Sequence, residues 1–160
     1  MLTPAQKSAL QQIAAASVVA EKKTGCPAEL SAAQAILESG WLQRAPGNNC
    51  FGIKANSRAA GQQYVFTHEV EFGESHPARL AFATYPTLAD CFEDHAWLIK
   101  HGDAYATAWA FYKAQPNLDA LIAGIAPHYA TDPTYTEKIT RIAHGPDLAK
   151  ALSTARQSNP

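Results

Sequence analysis

Apolar residues recur at helical spacing along most of this chain, but between Trp41 and Tyr85 that spacing breaks off. Pro46, Gly47, Asn48, Asn49, Gly52 and Gly61 crowd the first part of the gap, as residues that favour turns do in loops. The second part is rich in β-branched and aromatic residues from Gln63 to Phe72 and again from Arg79 to Tyr85. It reads as an antiparallel hairpin with an irregular turn over Gly73 to Pro77. Helices, then a small stranded insertion, then helices again restrict the chain to an α+β architecture, with a helical lobe and a hairpin lobe flanking a cleft. At 160 residues the chain is long enough for one domain with a core, expected over 1–160 with the last few residues frayed.

The helices are delimited by their own punctuation. Thr3-Pro4-Ala5-Gln6 combines an N-cap, a proline at the first helical position and a glutamine that completes a capping box. Leu10, Ile13, Ala14, Ser17 and Val18 follow at helical spacing, and Lys22, Lys23 and Gly25 supply the stop. A second helix is expected from Pro27, at its first position, to Ser39. Thr87 caps a third, carrying Leu88, Cys91, Phe92, His95, Leu98 and Ile99 inward and ending at Gly102. Further helices are expected from Asp103 to Ala114, from Asn117 to Ile125 with a break at Pro127, from Asp132-Pro133 to Gly145, and from Asp147 to Arg156.

Thirteen basic against fourteen acidic side chains leave a formal charge of -1, so no basic field exists to hold nucleic acid or an anionic membrane surface. No stretch is apolar and long enough to span a bilayer, and Met1 to Ser8 lacks the charged start and apolar run of a signal peptide. A monomer made without a signal peptide is expected. Cys26, Cys50 and Cys91 are odd in number and read as thiols of a reducing compartment, with one disulfide after export left open. The six histidines are scattered and no Cys-x-x-Cys or His-x3-His spacing occurs, so no metal and no cofactor are expected. Cys26 at a helix start is the one cysteine whose thiol a helix dipole could activate, which is a weak case for a cysteine peptidase.

One stretch concentrates chemistry. In Ala33-Gln-Ala-Ile-Leu-Glu38-Ser-Gly-Trp41, Gly40 can end the helix in the left-handed conformation, leaving Glu38 in the last turn above Gln34. The negative end of the helix and the apolar neighbours Ile36, Leu37 and Trp41 make a setting suited to a general acid. In the first strand, alternation places Val65, Thr67, Glu69 and Glu71 on one face and Tyr64, Phe66, His68 and Val70 on the other. A cleft on the face of Glu69 would oppose two carboxyls, the usual requirement for hydrolysing a glycosidic bond.

Leu37-Glu-Ser-Gly-Trp41, Asn48-Asn-Cys-Phe-Gly-Ile-Lys54, Ala83 to His95 and Tyr129 to Ile139 together resemble the bacterial glucosaminidase family, glycoside hydrolase family 73. The resemblance implies a lysozyme-like fold and an endo-β-N-acetylglucosaminidase acting on peptidoglycan glycan strands, at the cell wall after release or delivery. It implies Glu38 as acid and Glu69 as base or charge stabiliser, with Glu71 and Glu74 as rivals for the second role. Tyr129 aligns with a tyrosine lining the sugar site and Tyr135 competes with it. Trp41, Asn49 and Phe51 complete the expected substrate-lining set. A muramidase or lytic transglycosylase shares the fold, and a non-catalytic wall-binding module is the reading from another class.

Overall fold

The computed structural model describes residues 1–71 and 73–159, without the side chains of Thr67, Glu69, Val70 and Glu71. In chain order the elements are α1 (Pro4–Thr24), α2 (Ala28–Ser39), β1 (Gly61–Glu71), β2 (Glu74–Thr84), α3 (Leu88–His101), α4 (Ala106–Ala114), α5 (Leu118–Tyr129), α6 (Tyr135–Ala143) and α7 (Pro146–Ser158). The fold is α+β and mostly helical, with one two-stranded antiparallel sheet.

Helix α2 is the axis of the molecule because it is built from small residues. Ala28, Ala32, Ala33 and Ala35 are fully buried, and side chains this short let neighbouring helices approach from both sides. One core cluster joins it to α1, α3 and α7 through Ile13, Val18, Phe92 and Leu152. The other joins it to α3, α4, α5 and α6 through Leu30, Ile99, Trp109, Leu121, Ile125 and Ile139. No helix among the described residues is long and apolar enough to cross a membrane.

Capping explains most of the boundaries. Thr3 with Gln6 and Thr87 with Asp90 each form the reciprocal box at the start of α1 and α3. Several boundaries differ from the sequence reading, and α4 begins at Ala106, after a single 3₁₀ turn over Asp103–Tyr105. Pro27 precedes α2 as its N-cap, and the Ala28 N–H is taken instead by Glu21 Oε1 of α1 at 2.9 Å. Helix α5 runs through Pro127 to Tyr129: the proline falls in the last turn, where it removes one hydrogen bond and Ala130 N–H still closes on Ala126 O. Helix α6 starts at Tyr135, not at Pro133, because the Asp132 carboxylate accepts from the Thr134 N–H and hydroxyl and from Lys138, closing a turn ahead of the helix. Helix α7 starts at Pro146, a first-turn proline after the N-cap Gly145.

The hairpin is also longer than expected. Pairing runs from Gly61↔Thr84 to Glu71↔Glu74, so Ser75, His76 and Pro77 are strand residues. Pro77 is tolerated because each strand of a two-stranded sheet has a free edge that needs no N–H. The root of the hairpin is anchored by the loop before it: Ala55 N–H bonds Ala81 O, Ala83 N–H bonds Ile53 O and Tyr85 N–H bonds Gly47 O, each at 2.9 Å.

Candidate active site

Glu38 sits half-buried in the last turn of α2, and the chain leaves the helix immediately beyond it by an unusual route. Gly40, Trp41 and Leu42 are consecutively left-handed, at φ 57°, 62° and 63°. For the two residues with a Cβ this costs about 1–2 kcal/mol each. The turn is stabilised by buried Ser39, whose hydroxyl donates to Ala35 O at 2.6 Å and accepts from the Leu42 N–H at 2.8 Å. The Arg44 N–H returns to Ser39 O at 2.8 Å, which brings the Arg44 side chain back over Gly40, where a Cβ would lie 3.0 Å from the guanidinium.

The result is a cleft of about 230 Å³ lined by Glu38, Arg44, Pro46, Asn49, Cys50, Phe51 and Gly52 of the helix end and loop and by Gln63, Val65 and Phe82 of the hairpin. Asn49 lines it, but its amide is spent on the scaffold, donating to Ile53 O and Ala83 O and accepting from the Ile53 N–H. Asn48 makes similar turn bonds to Tyr85 O and Pro86 O. Phe51 stacks on His95 at 3.9 Å. Trp41 is absent from the lining among the described residues and packs half-buried on the first core cluster.

The side chain of Glu69 lies outside the described residues. Its backbone pairs with His76, on the same face as Gln63 and Val65, the face that lines the cleft. At about 3.3 Å per strand residue, Glu69 stands roughly 13 Å farther out than Val65. Glu71 and its partner Glu74 share that face and stand farther still.

Behind the carboxyl lies a polar chain. The Tyr135 hydroxyl donates to Glu38 Oε1 at 2.7 Å and accepts from Gln34 Nε2 at 3.2 Å, and Gln34 Oε1 lies 3.0 Å from His95 Nε2. Tyr129, at the end of the helix that passes through Pro127, stacks on Tyr135 with ring centres 5.9 Å apart. Burial pushes both phenols well above their ordinary range. The neighbouring Glu38 adds to this in each, so both keep the proton that makes them donors. Burial holds His95 down to about 3, against a smaller opposing pull from Asp94. Tyr135, expected from the sequence as a rival of Tyr129 at the sugar site, is instead a core residue at 3% exposure whose hydroxyl reaches the acid. Arg44, Gln63 and Phe82 were missed as lining residues, since nothing local marks a residue whose position depends on the left-handed turn or on strand register.

Larger hollows exist, and their carboxyls are already engaged. In one of about 350 Å³, Asp94 is held by Arg58, Asn56 and Tyr85, Asp90 caps its own helix and Glu93 pairs with Lys23. In another of about 480 Å³, Glu21 and Glu29 are bridged by Arg156. A third, about 580 Å³, is lined by Lys100, Trp109, Tyr112 and Lys113 among others, with no carboxyl in its lining. The cysteines are free buried thiols. Contact with Cys91, then burial, pushes the Cys50 thiol far above its usual range, and burial raises Cys26 to about 11, so the helix start does not activate it as a nucleophile. No cluster of metal-binding side chains is present among the described residues.

Residues 14–148 match the family model described as mannosyl-glycoprotein endo-beta-N-acetylglucosaminidase. The chain is 36% identical to the exo-glucosaminidase LytG of Bacillus subtilis over 83% of its own length and 48% of that protein's. It is 32% identical to a probable N-acetylmuramidase of Lactococcus lactis over 98% of its length and 38% of that protein's. It thus spans less than half the length of these curated relatives. The solved glycoside hydrolase domain of FlgJ from Salmonella typhimurium superposes with a TM-score of 0.68 at 28% identity, covering 86% of this chain and 95% of that one. The four sequence blocks, the lysozyme-like fold and the carboxyl at the end of α2 come together in one assignment: the chain belongs to the glucosaminidase family, glycoside hydrolase family 73.

Proposed function

We propose that this chain hydrolyses the glycan strands of peptidoglycan at the bond following N-acetylglucosamine, with Glu38 as the general acid, and that residues 1–160 act as one unit at the cell wall. The observation that carries the reading is the state of Glu38. It opens onto the cleft, one carboxyl oxygen is engaged by a buried phenol, and among the described residues no hydrogen bond reaches the other. That leaves Oε2 to deliver a proton to the leaving oxygen as the C1–O bond breaks. Glu69 then supports the developing positive charge or takes the proton from the attacking water, since it lies on the strand face whose inner residues Gln63 and Val65 line the cleft. Phe51 and Phe82 offer apolar surface to a sugar ring, whereas Tyr129 and Tyr135 are not among the described residues lining the cleft and stack on each other behind Glu38.

A second reading, cleavage on the muramic side, is favoured by the lactococcal relative's name. Clearing of purified walls with mass analysis of the fragments decides both. A reducing-end N-acetylglucosamine supports the first reading and a reducing-end muramic acid the second. Wild-type protein that binds walls without releasing sugar would leave only a binding module.

A further inference from the structure

Gln34 and His95 are both completely buried, and neither lines the cleft. A buried polar pair adds little stability over an apolar pair of the same shape, while a buried polar atom left unpaired is costly. His95 bears that cost, because its Nδ1 has no partner among the described residues. Stacking on Phe51 would be served as well by another aromatic ring. What the polar pair supplies, and an apolar pair cannot, is a direction.

The direction follows from donor counting. Tyr135 has one proton to give. Gln34 Nε2 only donates, so by occupying a lone pair of the phenol it leaves that proton for Glu38 Oε1. Rotating the Gln34 amide by half a turn would put its oxygen on Tyr135 and draw the proton away from Glu38. His95 blocks the rotation if its single proton is on Nε2, since the turned amide would then set donor against donor. The orphaned Nδ1 agrees with this, as it has no acceptor to hold a proton.

We propose that Gln34, oriented by His95, is a positioning residue for Glu38: through Tyr135 it engages Oε1 and leaves Oε2 to carry the proton that reaches the glycosidic oxygen. The inference rests on the hydrolytic reading above. When the proton leaves Oε2 and the C1–O electron pair stays with the departing oxygen, Glu38 becomes a carboxylate. The Tyr135 hydrogen bond then becomes charge-assisted and strengthens. The chain therefore favours the transition state over the ground state, which affects turnover more than binding.

Wall hydrolysis by Gln34→Met, Tyr135→Phe and the double variant tests the pathway. Gln34→Met should lower kcat by about 10- to 100-fold with KM nearly unchanged, and the double variant should be no slower than Tyr135→Phe alone. Wild-type kcat in a folded Gln34→Met protein, or losses that multiply, would overturn it. Nitrogen-15 NMR of the histidines in wild-type protein needs no variant to fold. A neutral Nε2–H tautomer of His95 supports the chain, and an Nδ1–H tautomer reverses every bond in it and overturns the proposal. Wild-type protein that releases no saccharide overturns the hydrolytic reading and the catalytic role with it, and the tautomer still decides the direction of the bonds.

Discussion

Two tyrosine–carboxylate pairs flank helix α3, and consecutive residues of that helix serve them. Asp94 accepts from the Tyr85 hydroxyl at 2.5 Å, from Asn56 Nδ2 at 3.0 Å and from Arg58 Nε at 2.5 Å, and Arg58 lies 3.7 Å above the Trp97 ring. His95 backs the other pair, in which Glu38 accepts from Tyr135 alone among the described residues. The Asp94 side chain is 4% exposed and both its oxygens are engaged. Among the described residues, Glu38 keeps one oxygen unspent, and it opens onto a cleft. The same phenol–carboxylate contact thus builds structure in one place and, on the function proposed above, prepares chemistry in the other. What separates them is the remaining coordination, which a catalyst must hold in reserve.

Exchanging one carboxyl at a time should break the comparison most severely. Glu38→Gln keeps the shape and removes the proton, so wall-clearing rate should fall about a thousandfold or more while the denaturation midpoint stays within error. Asp94→Asn should act in reverse. Leaving Arg58 without its partner should cost about 3 kcal/mol in urea unfolding, with near-normal turnover in the fraction that remains folded. A folded, inactive Asp94→Asn beside an active Glu38→Gln would show that the two carboxyls have been assigned the wrong way round.

The hairpin sharpens the contrast, because its glutamates stand along a strand and not at a packed helix end. Glu69, Glu71 and Glu74 share one face, and register alone ranks Glu69 nearest the cleft. Glu69→Gln should therefore lower the hydrolysis rate by about a hundredfold, with Glu71→Gln close to wild type. The opposite order in the same wall assay would move the second carboxylate one pleat outward.

Much of this was legible in the chain wherever a local rule operates. Thr3 with Gln6, Thr87 with Asp90, and Gly40 marked their helix ends because capping involves residues three or four apart. The position of Glu38 followed from the last of these. Pro127 misled, because a proline in a last turn removes one bond without ending the helix, and Tyr129 reaches Tyr135 only because α5 continues through it. The hairpin face holding Glu69 was legible from alternation, whereas its full length was not, since Pro77 reads as a breaker unless the strand edge is known to be free. Of the chain from His95 through Gln34 and Tyr135 to Glu38, only the stacking of Glu38 above Gln34 and the inward face of His95 were legible, not the bonds that join them. Its members lie on three helices, and no spacing rule connects α2 to α6.

The smallest effect concerns pH and separates the neighbours on α3 once more. Burial holds His95 in the folded protein at about 3, below the ordinary histidine value of 6.5. Between those values the unfolded chain binds a proton that the folded one refuses, so the contribution of His95 to stability is present above pH 6.5 and is lost as pH falls toward 3. From pH 7 to pH 5 the loss amounts to about 2 kcal/mol. His95→Phe keeps a ring against Phe51 and cannot titrate, so the wild-type minus variant difference in urea unfolding energy should shrink by that amount across the interval. The Asp94 network is intact in both proteins and cancels from the difference. A difference that stays flat between pH 7 and pH 5 would mean that His95 can accept a proton while folded. In that case its orphaned Nδ1 has a partner, and the ring is not the fixed donor that directs Gln34 toward Tyr135.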